Sequence, residues 1–249
     1  MSFIEVQKNN DIAVLMIHRG KVNALNGEVV EQMRASLDAL KDDPLIKAII
    51  ITGAGKFFSF GFDIPEFLSF SKEQFTQFLI NFTDLYACLF LYPKPVVAAL
   101  NGHTIAGGCM LALACDHRIM VTGKAKISLN EITFGSSVFA GSAEMLRFWV
   151  GNAGATKVLY SGKMYTAEEA KEIGLVDELA TDANLMATAS DTASVLASTS
   201  SPAFASIKTL LRRNIAEEMR EREHESIQDF VDIWYSKGAW ENLLKIKIY

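Results

Sequence analysis

The period of the apolar positions changes several times along the chain, and each change marks an element. Ile12–His18 ("IAVLMIH") is a short, almost continuous apolar run, as expected of a strand covered on both faces. "GEVVEQMRASLDALKDD" carries apolar residues at helical spacing and stops before Pro44. Ile46–Gly53 ("IKAIIITG") and Pro95–Gly102 ("PVVAALNG") are strand-like runs closed by glycine, and "DHRIMVT" is another strand-like stretch. Strands separated by helical segments predict crossover units and a largely parallel sheet. "QFLINFTDLYACLFLY" predicts a buried helix, because Asn81 and Asp84 interrupt it and it is too short to cross a bilayer.

The pattern shifts after Gly151. In "TAEEAKEIG", Thr166 and Glu169 have the spacing of a capping box, and "LVDELA" predicts a last short strand. From Asp182 to about Lys247 the chain reads as helix, with Pro202 marking a helix start and Ser201 as its cap. The expected organisation is an α/β core over residues 1–182 and a helical C-terminal region over residues 183–249.

Composition narrows the function classes. The 249 residues are 50% hydrophobic and 21% charged, enough for one large core. A formal charge of -5 without any block of like charges argues against a nucleic-acid partner. Cys88, Cys109 and Cys115 are odd in number, lie in apolar stretches and form no CxxC pair, so free thiols in a reducing, cytoplasmic setting are expected. "MSFIEVQKNND" has no apolar core of a signal peptide, and "KIKIY" is neither a peroxisomal tripeptide nor a lipidation box. His18, His103, His117 and His224 lack metal-like spacing, and no metal is expected.

The most informative stretch is "LNGHTIAGGCMLALACDHRI". Gly102 and Gly107 have the gap of a phosphate loop, but Gly108 and Cys109 follow where lysine and a hydroxyl residue are required. No GxGxxG fingerprint occurs either. What remains is a strand, a turn and a helix opening on "AGG", whose first N–H groups have no partner inside the helix. Such a terminus can hold a developing oxyanion. Spacing alone favours a tight turn that needs small residues for packing. "GKFFSFGFDIPEF" is a second strand end with a turn at Gly61, and the two ends could each supply one N–H to a shared oxygen.

These stretches resemble the crotonase superfamily, the enoyl-CoA hydratase and isomerase family. "FFSFGFDIPEF" is similar to its FxxGxD turn, and "KPVVAALNGHTIAGGCMLALACDHRI" to its long glycine-rich signature. "ISLNEITFG" and "YSGKMYTAEEAKEIGLVDEL" follow in the family's order. The resemblance implies an α/β fold, a spiral of ββα units with C-terminal helices that build homotrimers or dimers of trimers. It also implies an acyl-CoA substrate and no separate cofactor, coenzyme A being part of that substrate. Two backbone amides, carried onto this chain at Phe62 and Gly107, would hold the thioester oxygen. Lys21, Val22 and Ala24 would border the coenzyme, with Asp63 and Ile64 following the first donor. Lys56, and Lys245 or Lys247 reaching a neighbouring subunit's coenzyme, would help to offset its negative charge.

Hydratases of the family use two glutamates. This chain has Met110 at one of those positions and Glu131 at the other. The resemblance therefore implies an isomerase that moves the double bond of a 3-enoyl-CoA, with Glu131 as the proton carrier, its pKa raised among Phe134, Ile132 and Met110. Glu144 is expected to be structural and Asp63 to order its own turn; the phenylalanines from Phe57 to Phe90 read as core by default, with Phe67 and Phe70 as candidates for the acyl tunnel and His103 as a candidate for the pocket rim. A hydratase or other crotonase-type lyase, a hydrolase or decarboxylase, and a non-catalytic acyl-CoA-binding homologue stay open as alternatives.

Overall fold

A computed structural model describes residues 2–246. The chain enters through a hairpin, β1 (Ile4–Asn9) antiparallel to β2 (Ile12–Ile17). Helix α1 (Gly27–Asp42) begins at Asn26, whose side chain accepts a hydrogen bond from Val29 N–H. Strand β3 (Ala48–Gly53) lies parallel to β2, and the short β4 (Phe57–Ser59) leaves the main sheet. One helical turn, α2 (Ile64–Phe67), precedes α3 (Lys72–Phe90), which opens on a capping box of Ser71 and Gln74.

The pattern then repeats. Strand β5 (Val96–Leu100) joins β3, β6 (His103–Ile105) joins β4, and helix α4 (Gly107–Ala114) follows. Strand β7 (His117–Val121) joins β5, and β8 (Ile127–Ser128) joins β6. A 3-10 turn (Glu131–Phe134) then leads to α5 (Ala140–Ser161), which breaks at Gly151. Helix α6 (Ala167–Glu172) and strand β9 (Glu178–Ala180) complete the sheet. The order is β1-β2-β3-β5-β7-β9 in one sheet and β4-β6-β8 in the other. From β3 to β8 each pair of consecutive strands gives one strand to each sheet, and the chain advances as the expected spiral.

The physical reason is visible in the strands. Every residue of β3 and β5 is buried, so these parallel strands are covered on both faces and carry no polar side chain except Thr52, whose hydroxyl donates to Ala99 O at 2.8 Å. After β9 come α7 (Leu185–Ala197), α8 (Ser201–Trp234) and α9 (Lys237–Leu243). Helix α8 starts one residue earlier than its Pro202 suggested: Ser201 is already helical and Ser200 occupies the cap position, without a side-chain cap bond. Proline is tolerated anywhere in a first turn, where N–H groups lack intrahelical partners, so it marks that turn without fixing its first residue.

Helix α8 is fastened to the core by buried charge. Lys208 and Arg212 donate to the two oxygens of Asp116 at 2.7 and 3.1 Å, and Asp116 also accepts from Val96 N–H at 2.8 Å. Arg212 further donates to Phe90 O at 2.9 Å. A single substitution here would strand a buried charge. Cys109 and Cys115 are buried and Cys88 is half-buried, all three as free thiols.

Candidate active site

Three loops converge where the small sheet ends. The first runs from β4 through Gly61 to α2. Leu25 brackets it: Leu25 N–H donates to Gly61 O at 2.8 Å, and Asp63 N–H donates to Leu25 O at 2.9 Å. That register leaves Phe62 N–H between the two bonds and outside them. Arg19 braces the same loop, donating to Asp63 at 2.6 Å, Glu66 at 2.9 Å and Ala24 O at 3.2 Å.

The second loop links β6 to α4 through Ala106, which sits at φ 50 and ψ -119, a strained setting for a residue with a side chain. Ala106 N–H donates to Ser128 O at 2.8 Å, holding the turn against β8. The two loops touch backbone to backbone. A Cβ on Gly61 would lie 2.9 Å from Ile105 O and 3.1 Å from Gly107 N, and one on Gly108 would lie 2.6 Å from Ser59 O. The glycines are therefore required by packing, and that packing aligns two amides. Among the described residues neither Phe62 N–H nor Gly107 N–H has a protein acceptor.

The third loop is the 3-10 turn, closed by Gly135 at φ 80. It buries Glu131 to 4% exposure, and neither carboxylate oxygen has a hydrogen-bond partner among the described residues. Desolvation penalises the charged form and pushes its pKa from 4.5 up to about 8.

A cavity of about 290 Å³ joins these parts. Phe60, Phe62 and Ile64 come from the first loop, and Ile105, Ala106, Gly107 and Met110 from the second. Asn130, Glu131, Thr133 and Phe134 come from the third, and Phe230, Trp234 and Ile246 close the space from the C-terminal end. A larger hollow of about 670 Å³ between α1, α3 and α8 holds none of these residues. Its acidic Glu223 is already engaged by Tyr86 OH and by Gly141 N–H. The smaller cavity, apolar with one unpaired carboxyl, has the form of a site for chemistry on an apolar chain.

Phe62, Ile64, Gly107, Met110 and Glu131 all meet at this cavity. Lys21, Val22, Ala24 and Asp63 do not line it. Lys21 is exposed, Val22 half-buried and Ala24 buried, on the loop beside Phe60, whose N–H donates to Val22 O at 3.0 Å. Asp63 caps α2 by accepting from Glu66 N–H. Glu144 is held by Arg147 at 2.5 Å and Arg222 at 2.7 Å, outside the cavity. His103 stacks on Phe57 instead of reaching the cavity. Lys56 and Lys245 are exposed, and Lys247 lies outside the described residues.

Two further expectations need correction. Phe67 is fully buried in a cluster with Phe62, Phe75 and Phe78, and neither it nor Phe70 lines the cavity. Aromatic density identifies a core without saying which rings face a hollow inside it. Ile132 is 49% exposed, so Phe134 and Met110 border Glu131's cavity without it. Sequence reasoning missed Phe230, Trp234 and Ile246. The i, i+4 spacing of Phe230 and Trp234 signals a buried helix face, but nothing local says what that face covers.

The whole chain has relatives of matching design. The family described as enoyl-CoA hydratase/isomerase matches residues 7–239. A probable enoyl-CoA hydratase of Bacillus subtilis is 35% identical over 217 residues, 86% of this chain and 83% of that protein. A short-chain-enoyl-CoA hydratase of Clostridium acetobutylicum is 32% identical over 212 residues, 84% of this chain and 81% of the relative. The crystal structure of human mitochondrial delta3-delta2-enoyl-CoA isomerase superposes with a TM-score of 0.93 at 24% identity, covering 98% of this chain and 96% of that one. Two glycine-aligned amides, a buried carboxyl and this extent of likeness belong together: the chain is an enzyme of the enoyl-CoA hydratase/isomerase family, in the crotonase superfamily.

Proposed function

We propose that the protein is an isomerase that converts 3-enoyl-CoA to trans-2-enoyl-CoA, with Glu131 as the one proton carrier. The thioester oxygen accepts hydrogen bonds from Phe62 N–H and Gly107 N–H, which acidifies C2 of the acyl chain. The Glu131 carboxylate takes a proton from C2, the electrons pass into a dienolate whose charge rests on the thioester oxygen, and the same carboxyl returns the proton at C4. A carboxyl with a pKa near 8 is a stronger base than an exposed one, and it is well matched to a reaction run near neutral pH. No separate cofactor takes part, since coenzyme A arrives as part of the substrate.

The observation that carries this reading is the pairing of Glu131 with Met110 in one cavity. Glu131 is the only carboxylate side chain among the described residues lining it, and Met110 stands where a hydratase of the family has its second acid. Activating water for addition to the double bond calls for a second carboxylate. The named hydratases among the relatives favour hydration as the second reading. Against it, Glu144 lies outside the cavity and is committed to Arg147 and Arg222.

The test is a competition of rates. Purified protein given 3-enoyl-CoA is expected to form the conjugated thioester, read by its absorbance, at least about a hundredfold faster than it hydrates trans-2-enoyl-CoA. Faster hydration would replace this reading with the second, and binding without turnover of either would leave a non-catalytic acyl-CoA protein.

We also infer self-association as a homotrimer or dimer of trimers. It is supported by Ile207, Leu210 and Leu211, which lie at i, i+3 and i+4 on α8 and are 58%, 81% and 62% exposed. Leu210→Glu is expected to shift the sedimenting species toward a single chain; an unchanged mass would exclude this face from the interface. We propose a cytoplasmic location, in keeping with the free thiols; among the described residues no helix is long and apolar enough to cross a membrane.

A further inference from the structure

Trp149 Nε1–H donates to Leu113 O at 2.8 Å. Trp234 is different. It is 1% exposed, it lines the acyl cavity, and its Nε1 has no hydrogen-bond partner among the described residues. Its ring is wedged against Phe75 and Phe230, at 4.6 and 5.8 Å between centroids, so the indole is held in place by packing on both rings. A buried donor without a partner is unfavourable, a cost that a hydrocarbon chain in the cavity would leave uncorrected.

The rest of the wall restricts what could pair with it. No lysine, arginine or histidine lines the cavity among the described residues, and the one ionisable side chain there is the Glu131 carboxyl. An acyl group ending in a carboxylate would bring a second acid into a space with no counter-charge, against strong desolvation. A neutral acceptor has no such penalty.

We propose that Trp234 Nε1–H is a specificity-determining donor, which selects acyl chains carrying a neutral acceptor oxygen of the ether, keto or hydroxyl class at one position. The proposal rests on the reading of this cavity as the acyl-CoA site. It assigns α8 a recognition role separate from the two amides and Glu131, none of which distinguishes one acyl tail from another.

A positional scan of non-reacting ligands tests it. Saturated acyl-CoA thioesters of one length, each with an ether oxygen replacing a different methylene, are compared with the hydrocarbon parent by equilibrium binding. Most positions are expected to bind more weakly than the parent, because a methylene's burial is lost. One position is expected to bind about three- to tenfold more tightly than its neighbours in the series. In Trp234→Phe that advantage over neighbouring positions disappears, each ligand being compared with the parent measured on the same variant. With the matched ligand, the indole ¹H–¹⁵N resonance missing from the Trp234→Phe spectrum moves downfield in the wild-type protein, and with the parent it does not.

The wild-type scan stands even if the variant does not fold. A flat profile with normal parent binding overturns the proposal and leaves the N–H facing the ring of Phe75 or Phe230. No binding by any acyl-CoA, the parent included, overturns the acyl-CoA reading of the cavity together with the proposal.

Discussion

Glu131→Gln is expected to lower kcat/KM for isomerisation of 3-enoyl-CoA by about 10²- to 10⁴-fold, with acyl-CoA binding changed by no more than a few-fold. Glutamine keeps the shape of the side chain and removes its ability to take a proton. Because burial moves the carboxyl to about 8, most free enzyme near neutral pH carries it protonated. The kcat/KM of the wild-type protein should therefore rise with pH and level off above about 8. The same burial has an opposite effect on stability. The unfolded chain releases this proton near 4.5 and the folded chain near 8, so the folded state binds more protons in between. Stability associated with the neutral carboxyl is complete below about 4.5 and is lost as pH rises through about 8. At pH 9 Glu131→Gln should melt several degrees above wild type, and at pH 5 the two should be close. A variant that is inactive yet no more stable at pH 9 would mean that the carboxyl is solvated in solution. A variant that remains active would remove Glu131 from the chemistry.

Gly61→Ala is expected to reduce kcat by about 10²- to 10³-fold, the loss associated with misplacing one oxyanion donor. Two effects coincide at this residue. Its φ of 88 is unfavourable for alanine by ~1–2 kcal/mol, and the added methyl would meet Ile105 O, the Ala106 Cβ and Gly107 N within about 3 Å. Two of the contacts are with backbone and the third is with a Cβ, none of which can swing aside, so the loops carrying Phe62 and Gly107 must separate. Gly123→Ala separates the causes: it has φ 103 with nothing within 4 Å of the new methyl, so it should lower the melting temperature while leaving kcat unchanged. Steady-state kinetics and thermal melts on both variants check this. Equal kinetic losses in the two would attribute the effect to general destabilisation.

How much of this was legible before the structure depends on where each signal resides. The strands β3 and β5 are near-continuous apolar runs because parallel neighbours and helices cover them, so their own composition announces them. Strand β1 went unread because five of its six residues are exposed, as an edge strand allows. Strands β4, β6 and β8 are two or three residues long, too short for any periodicity, and exist because loops at the end of the main sheet pair with one another. The glycines, Met110 and Glu131 were legible through motif spacing. That Glu131 would have no partner was not, since desolvation is a property of everything packed around a group. Phe67 misled for the same reason, and Trp234 was invisible because a long helix has to return across the fold before it touches the loops.

That return gives the last stretch of chain an influence on acidity. Phe230, Trp234 and Ile246 form one wall of the space into which the Glu131 carboxyl is buried, and its raised pKa comes chiefly from exclusion of solvent. The proton affinity of a mid-chain loop is thus written partly in the tail. Mutations in the tail that admit water would retune the pH optimum while every reacting group stayed in place.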